Sequence, residues 1–327
     1  MAPYYDGLLA FLFRQLFYGI PEVPPVDLSG KTVLLTGANS GVGYALMSEL
    51  AMHGAEVITA VRSVAKGNAA RRLVLDQIPD AHIEVRECDL ASFESVMKFL
   101  NQIALDGKTF DIFILNAAVW CSGWTTSADG IELCTQVNII SNALLAVSLL
   151  PRLRYDNEKP RLVFVTSEGH AMVPTGFSQN KAILDCLNQK APNFDHYNHY
   201  YSSKLFGMLW TLALSRRLDR QKVEIVLVSP GLCKSELFRN VRSAPTDFLA
   251  HCFARSCNDG ARMVMLASIT DTANSSGCYF SQGSLVPISQ FCSGTDGLRC
   301  QEQLWEEISE ILERVSPDFD RHLQVAQ

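Results

Sequence analysis

Several features are missing from this sequence, and each absence narrows the classes of protein to which it could belong. Its 327 residues contain no long basic run and carry a net charge of −6, so a nucleic-acid partner is not expected. The ten cysteines are scattered without a CxxC pair, and no secretory leader precedes them. Reduced thiols in the cytoplasm are therefore predicted. His196 and His199 are close, but no second ligand pair has metal spacing, so no metal site is predicted.

No stretch is long and apolar enough to be read as a membrane-spanning helix. The most apolar one, Leu8 to Tyr18, reads LLAFLFRQLFY and is interrupted by Arg14, whereas a span needs about 20 residues. We expect a helix packed on the body of the protein. The alternative is an interfacial anchor or a helix at a substrate mouth, which leaves peripheral membrane contact open. Prolines then break the chain, so residues 1–28 are assigned to an apolar helical extension and 29–327 to the main domain.

Short β-branched runs alternate with longer helical patterns from Lys31 onwards. Continuous apolar strands separated by helices are typical of a parallel sheet covered on both faces. The predicted fold class is α/β, with a single doubly wound (Rossmann) parallel sheet of about seven strands and helices on both faces. The predicted strands are Thr32–Thr36, Glu56–Ala60, Ile83–Glu87, Asp111–Leu115, Leu162–Thr166, Val223–Val228 and Gly277–Phe280.

Two connections are longer than a minimal sheet of this kind needs. They cover about residues 168–198 and 232–255, and both leave the carboxyl ends of strands, where open α/β sheets bind ligands. Long loops at that edge are usually lids. Further on, Arg299 to Arg314 has apolar residues at helical spacing, which predicts an amphipathic helix that closes the domain.

The turn after the first predicted strand is rich in glycine and reads TGANSGVG over residues 36–43. Gly37 lets the chain turn sharply, Gly41 lets the backbone approach a pyrophosphate, and Gly43 allows the following helix to pack closely on the strand. The N–H groups at the start of that helix attract an anion. A dinucleotide site is therefore predicted. Its residues in this turn are Gly37, Asn39, Ser40, Gly41, Val42 and Gly43.

The end of the second predicted strand distinguishes NAD from NADP. An acid there would accept a hydrogen bond from the 2′-hydroxyl of the adenosine ribose and repel a 2′-phosphate, but the segment TAVRS, residues 59–63, contains none. Arg62 can pair with a phosphate through its planar guanidinium, and Lys66 follows one turn later. NADP(H) is therefore favoured over NAD(H). The alternative for Arg62 is an ordinary surface arginine.

Tyr200 and Lys204 form a YxxxK pair, and residues four apart share one face of a helix. An ammonium beside a phenol favours the phenolate, so the pKa of Tyr200 is expected to be lowered towards working pH. Tyr200 could then pass a proton to a carbonyl oxygen or take one from an alcohol. Tyr197 and Tyr201 are the competing tyrosines.

The spacing TGxxxGxG, together with YxxxK, resembles that of classical short-chain dehydrogenases/reductases. From about Ser29 the chain is similar to the retinol-dehydrogenase-like branch, especially to fungal members linked to secondary metabolism, and that branch also carries apolar N-terminal segments. The resemblance implies a catalytic set of Tyr200, Lys204, Ser167 and Asn138.

Each implied role leaves an alternative open. The hydroxyl of Ser167 would bond the substrate oxygen as charge develops there, with Thr166 as the competitor. Asn138 resembles the asparagine that holds a proton-relay water, whereas an asparagine within a helix usually satisfies a neighbouring backbone group. His170 lies near by in sequence and could touch substrate, but a structural hydrogen-bonding role is expected for it.

Three segments resemble the cofactor contacts of the same family. Asp89 and Leu90 resemble the pair that contacts adenine. The segment NAA, residues 116–118, resembles the family's NAG near the ribose, with alanine replacing glycine. The segment PGLCKS, residues 230–235, resembles PGxxxT beside the nicotinamide, with Ser235 in place of threonine. The further cofactor residues implied are Asp89, Leu90, Asn116, Ala117, Pro230, Gly231 and Ser235, together with Tyr200 and with Lys204, which would bond the nicotinamide ribose.

The predicted function is that of an NADP(H)-dependent oxidoreductase that interconverts a carbonyl and an alcohol on a hydrophobic small molecule. The resemblance implies a secondary-metabolite intermediate as substrate. The alternatives are an epimerase or dehydratase on the same scaffold and a non-catalytic NADP(H)-binding protein, and a homo-oligomer is left open. Apolar lid residues favour a hydrophobic substrate, although core packing explains them equally well. They are Trp120, Trp124, Met172, Phe177, Phe238 and Phe248.

Overall fold

The computed structural model describes residues 7–155, 158–173, 181–190, 194–239, 241, 251–272 and 276–327. Its strands are β1 Thr32–Thr36, β2 Glu56–Val61, β3 Ile83–Glu87, β4 Ile112–Leu115, β5 Arg161–Val165, β6 Glu224–Val228, β7 Cys278–Ser281 and β8 Ser284–Val286. Its α-helices are α1 Leu8–Phe17, α2 Gly41–Met52, α3 Val64–Leu75, α4 Phe93–Leu105, α5 Leu133–Thr135, α6 Ser141–Ser148, α7 Ile183–Asn188, α8 His196–Arg217, α9 Cys257–Ile269, α10 Gln290–Ser293, α11 Thr295–Val315 and α12 Phe319–Gln324. A π-helical turn, Gln136–Ile140, joins α5 to α6, and short 3₁₀ helices cover Leu150–Arg152, Glu168–Met172 and Glu236–Phe238.

The strands form one sheet in the order β3-β2-β1-β4-β5-β6-β7-β8. The first seven are parallel, and β8 pairs antiparallel with β7. The predicted α/β class is therefore confirmed, with one more strand than the seven expected. Chain order reverses between β1 and β4, so the crevice at their carboxyl ends is the place where such sheets bind ligands.

Both faces of the sheet are covered by helices, which explains why the inner strands are apolar throughout. In β1 the side chains alternate between two cores: Val33 and Leu35 belong to the core under α2 and α9, and Leu34 to the core under α4, α6 and α8. All three are fully buried. Packing on both sides fixes the strand register, because a shift of one residue would exchange the two faces.

Helix α1 contacts the body of the protein through polar side chains. Arg14 Nη2 lies 2.8 Å from Glu168 Oε2, with both side chains buried, and Gln15 Nε2 donates to the carbonyls of Leu232 and Phe253. Phe11 lines the central cavity. The helix is therefore packed on the body of the protein, as we expected from the sequence, and Phe11 also reaches the cavity. Within the described ranges, no helix has the length and apolar character needed to cross a membrane.

Candidate active site

A cavity of about 410 Å³ lies at the carboxyl ends of the central strands. Its volume falls in the range of about 300–1,000 Å³ typical of small-molecule and cofactor sites. Every residue predicted to bind cofactor lines it: Gly37, Asn39, Ser40, Gly41, Val42, Gly43, Arg62, Lys66, Asp89, Leu90, Asn116, Ala117, Tyr200, Lys204, Pro230, Gly231 and Ser235.

The glycine turn at the start of α2 has no room for larger side chains. Gly37 has φ +72°, a conformation that favours glycine. A Cβ on Gly43 would lie 2.2 Å from the carbonyl oxygen of Gly37, a contact that real structures do not tolerate. The backbone can therefore approach a ligand closely here, and the 12-residue helix that follows presents its N-terminus to the cavity. These features fit a pyrophosphate.

Two basic side chains mark the end of the cavity beside β2. Arg62 and Lys66 both line the cavity and are exposed, and neither side chain forms an ion pair with any residue that the structure describes. Two uncompensated positive charges at this end of the cavity are suited to a phosphate.

Thr36 stabilises the crevice between β1 and β4, where the chain order reverses. Its hydroxyl accepts hydrogen bonds from the backbone N–H groups of Asn116 and Ala117, each at 2.9 Å. The Asn116 side-chain amide donates to the Thr36 carbonyl. Asn116 therefore helps to hold the edge of the cavity in shape. After β3, the Asp89 carboxylate accepts from the Ala91 N–H.

Tyr200 and Lys204 lie on α8, and both side chains are buried in the cavity wall. Lys204 Nζ donates to the carbonyl of Val165 at 3.1 Å and lies 5.9 Å from the centre of the Tyr200 ring. Burial raises the pKa of Tyr200, opposite to the direction expected from its sequence neighbour. The physical reason is the desolvation of the buried phenol. The Lys204 ammonium bonds the Val165 carbonyl. Burial also lowers the pKa of Lys204 to about 8.

Ser167 follows β5 and lines the cavity, as does Thr166. The Ser167 hydroxyl accepts from the Gly169 N–H at 3.1 Å at the start of a 3₁₀ helix. Thr166 is buried, and its hydroxyl has no hydrogen-bond partner in the described part of the chain. By position, either hydroxyl could therefore contact the substrate oxygen, and that of Ser167 is the more accessible.

Asn138 lies behind the main cavity, within the π-helical turn. Its side-chain amide donates to the carbonyl of Val119 and to the hydroxyl of Ser203, and its oxygen accepts from the Val119 N–H. A second cavity of about 30 Å³ connects Asn138 to Lys204 and Thr166. That volume is enough for one water molecule.

The sequence is similar to known proteins over most of its length. A short chain dehydrogenase family model matches residues 31–179. A short chain dehydrogenase of Arthrobotrys oligospora is 34% identical, with 91% of this chain and 97% of that one aligned. This chain belongs to the short-chain dehydrogenase family. A second relative, from Aspergillus nomiae, is 32% identical over 94% of this chain and 88% of its own.

Solved structures support the fold of this dehydrogenase. An uncharacterized protein from Mycobacterium paratuberculosis has a TM-score of 0.65 at 26% identity, covering 87% of this chain and 95% of that one. A short chain dehydrogenase from Burkholderia cenocepacia, in complex with NADP, has a TM-score of 0.61 at 21% identity over 78% and 96%. The predicted family, its similarity to fungal members and the oxidoreductase class are confirmed.

An aromatic wall beside the tyrosine of this dehydrogenase was not predicted. Trp120 stacks on Tyr200 with ring centres 4.2 Å apart and planes at 3°. Its indole N–H donates to the carbonyl of His196 at 3.1 Å. Tyr197 and Phe238 also contact the Trp120 ring. Because Trp120 follows β4 and Tyr200 lies on α8, only the three-dimensional structure brings them together.

The apolar residues proposed as lid contacts have different positions in this dehydrogenase. Trp120, Met172 and Phe238 line the cavity. Trp124 is not among the lining residues, and its ring lies 5.7 Å from Lys190 Nζ. Phe177 and Phe248 are outside the described residues.

His170 lies directly beneath the active-site segment of the dehydrogenase. Its Nδ1 is 2.7 Å from the carbonyl oxygen of Ser167, and its ring contacts Tyr279 edge-on at 5.3 Å. Burial lowers the pKa of His170 from 6.5 to about 4. Since His170 is absent from the cavity lining, its contacts support the structural role.

The burial of neutral His170 predicts a loss of stability in acid. Between pH 6.5 and 4 the unfolded chain binds more protons at this residue than the native protein, so stability falls as pH decreases. The His170 contribution to that loss is about 2–3 kcal/mol by pH 4.5. Urea unfolding at pH 7 and 4.5 should therefore show a smaller acid-induced loss in His170→Asn than in the unsubstituted protein. An equal change in His82→Asn, where the histidine is exposed, would contradict this explanation.

Proposed function

We propose that this short-chain dehydrogenase is an NADP(H)-dependent enzyme that interconverts a carbonyl and an alcohol on a hydrophobic small molecule. One observation carries the proposal. A single cavity contains a phosphate-binding turn and two uncompensated cations at one end, and Tyr200, Lys204 and Ser167 at the other. A dinucleotide bound along the cavity, with its pyrophosphate at the glycine turn, would bring its nicotinamide ring to the proton-transfer groups.

When bound, the nicotinamide supplies the hydride for reduction or accepts it in oxidation. Tyr200 donates the proton that the substrate oxygen needs. Its raised pKa keeps the phenol protonated at neutral pH, which is the state required for donation. The Ser167 hydroxyl stabilises negative charge as it develops on the substrate oxygen. Lys204 remains mostly charged at pH 7, since its pKa is about 8, and offsets the negative charge of the tyrosinate left behind.

Asn138 is assigned to the path that returns a proton to the site. The 30 Å³ cavity beside it is also lined by Asn142, Thr166 and Lys204. The side-chain oxygens of Asn142 and Thr166 are buried without hydrogen-bond partners among the described residues, so one water could bond to both. Asn138 would hold that water within reach of Lys204. A π-helical turn at this point is consistent with a functional role, because such turns are frequent at functional sites.

The wall around Trp120 favours a flat or apolar substrate. Trp120, Tyr197, Tyr201 and Phe238 form one aromatic cluster around Tyr200, and the cavity also contains Met172. Apolar walls with a few polar groups are typical of sites for drug-sized ligands. Together with the fungal relatives, this supports a secondary-metabolite intermediate such as a polyketide, terpenoid or aromatic carbonyl compound.

Cofactor binding and turnover test the proposal directly. Fluorescence titration should show tighter binding of NADPH than of NADH, and NADPH should be oxidised by some members of a panel of lipophilic aldehydes and ketones. Turnover without net consumption of nicotinamide would favour an epimerase or dehydratase. Tight NADPH binding with no turnover on any carbonyl or alcohol would favour a non-catalytic role.

Removing the Arg62 guanidinium should weaken binding of NADPH but not of NADH. A charged hydrogen bond contributes about 1.5–3 kcal/mol, so we expect Arg62→Ala to raise the Kd for NADPH by about 10- to 100-fold. Fluorescence titration with both cofactors measures this. Arg72→Ala is the matched control, since Arg72 lies on the adjoining helix and is exposed outside the cavity. An equal loss for both cofactors would refute the phosphate contact.

The proposal also includes the location and assembly of the enzyme. All ten cysteines are free thiols, which is consistent with the cytoplasm. Phe13, Leu16 and Phe17 are exposed on α1, so this helix is the part of the described surface proposed for peripheral membrane contact. Sedimentation with lipid vesicles tests that contact, and sedimentation velocity of the protein alone tests for a homo-oligomer.

A further inference from the structure

Three potential metal ligands meet beside the active-site cavity. They are the thiols of Cys121 and Cys134 and the carboxylate of Glu132, and one ligand atom from each lies within 4.8 Å of the other two. Glu132 and Cys134 are buried, and Cys121 is half-buried and lines the cavity. No sequence spacing suggested this group. The chain between them folds back, with the Leu133 N–H bonded to the Thr125 carbonyl, and so brings Cys121 to the start of α5.

The Glu132 carboxylate is anchored at one oxygen and unsatisfied at the other. Oε2 accepts from the backbone N–H and the hydroxyl of Thr135, at 2.8 and 3.0 Å, and lies 2.7 Å from His199 Nε2. Oε1 is buried and has no hydrogen-bond partner within the described part of the chain. A buried acceptor without a partner costs free energy, and here it belongs to a group that also contains two thiols.

The burial of the three ligands also favours a bound cation. Glu132 is fully buried and Cys134 is 1% exposed, so a carboxylate oxygen without a partner among the described residues lies with two thiols in a site largely shielded from water, where an unsatisfied polar group is costly.

We propose that Cys121, Cys134 and Glu132 bind a thiophilic divalent cation, and that Zn²⁺ fits the donor set best. In a tetrahedral site with Zn–S of about 2.3 Å and Zn–O of about 2.0 Å, the ligand atoms are about 3.5–3.8 Å apart. The three atoms, which lie within 4.8 Å of one another, therefore need to close by about 1.3 Å at most. Three protein ligands leave a fourth position open. His199 is the positioning residue that orients the carboxylate, as outer-shell histidine–carboxylate pairs do in metal sites.

Such a site would tie the loop after β4 to helix α5. Trp120 immediately precedes Cys121 and stacks on Tyr200, so the metal would fix the aromatic wall of the cavity. Binding would displace the protons of both thiols, because thiolates are the ligands. The inference does not depend on the cofactor or substrate proposed above, and its test needs no turnover.

Cobalt is a direct probe of this site. The reduced, chelator-treated full-length protein should bind one Co²⁺ per chain, with thiolate-to-metal charge-transfer bands and the visible bands of tetrahedral Co²⁺, and Zn²⁺ should displace it. Cys121→Ser and Cys134→Ser should abolish the charge-transfer bands. His199→Asn should weaken metal binding by about 10- to 100-fold. Cys186→Ser is the matched control, since Cys186 is an exposed thiol outside the cluster, and it should bind Co²⁺ normally.

Three results would overturn the inference. One is the absence of thiolate charge transfer in the unsubstituted protein, and another is unchanged bands in both cysteine variants. The third is a protein that, when denatured without reductant, has two fewer titratable thiols than the denatured, reduced chain, with no such deficit in Cys121→Ser; this would identify a disulfide instead. If Cys134→Ser fails to fold, the half-buried Cys121→Ser decides alone, with circular dichroism confirming its fold.

Discussion

Phenylalanine in place of Tyr200 should lower kcat by about 10²- to 10⁴-fold, the usual contribution of a general acid. The substitution removes only the hydroxyl that donates the proton and keeps the ring that stacks on Trp120. The affinity for NADPH should therefore change little. Steady-state kinetics on the best carbonyl substrate, with NADPH titration of the same preparation, separates the two quantities.

Tyr201→Phe is the matched control for this substitution. Tyr201 is the next residue on α8 and also lines the cavity, but its ring packs against Gly169. Loss of the Tyr201 hydroxyl should reduce kcat far less than loss of the Tyr200 hydroxyl. If Tyr200→Phe turns over normally, or if Tyr201→Phe is the more damaged variant, the assignment of the proton donor is wrong.

The second large effect is expected from Arg14 on the N-terminal helix. Its guanidinium pairs with Glu168, whose side chain is only 2% exposed. Glu168 also accepts from Ser281 and Gln282, but these neutral groups do not balance its charge. Arg14→Met should lower the free energy of unfolding by about 3–5 kcal/mol, because it leaves a buried carboxylate without its cation. Denaturant titration measures the loss.

A double substitution separates the charge from the packing. Arg14→Met with Glu168→Gln removes both charges and should recover part of the stability lost in Arg14→Met alone. Arg299→Met is a control, since its ion pair with Asp296 is exposed and should contribute no more than about 1 kcal/mol. Because Glu168 follows Ser167, Arg14→Met should also reduce kcat. A stability loss no larger than that of Arg299→Met would contradict the role of the buried pair.

The sheet was predictable because the local sequence of each predicted strand indicates it. β1 and β3 have the predicted limits, and β2, β4, β5, β6 and β7 differ by one residue at one or both ends, since short β-branched runs between turn residues are strong signals. β8 was missed. It has three residues, Ser284–Val286, and pairs only with β7, in antiparallel orientation. It is therefore too short to show the alternation of apolar and polar residues that indicates a strand.

The features of the site that sequence could not supply arise from contacts between distant segments. Arg14 and Glu168 are 154 positions apart, and nothing in either segment indicates the other. The pKa of Tyr200 was expected to fall because Lys204 was visible in the sequence, whereas the desolvation that raises it was not. Motif positions could be found by pattern, but burial and partners depend on the complete fold.

The contacts of α1 also carry a consequence for the order in which the molecule can assemble. Arg255 donates to the carbonyl of Tyr18 across 237 positions, and Gln15 donates to Phe253 across 238. Translation at about 5–20 residues per second separates these partners by roughly ten to fifty seconds. Helix α1 therefore leaves the ribosome well before Phe253 and Arg255, with its apolar side chains exposed meanwhile. A chaperone would have that interval in which to bind it.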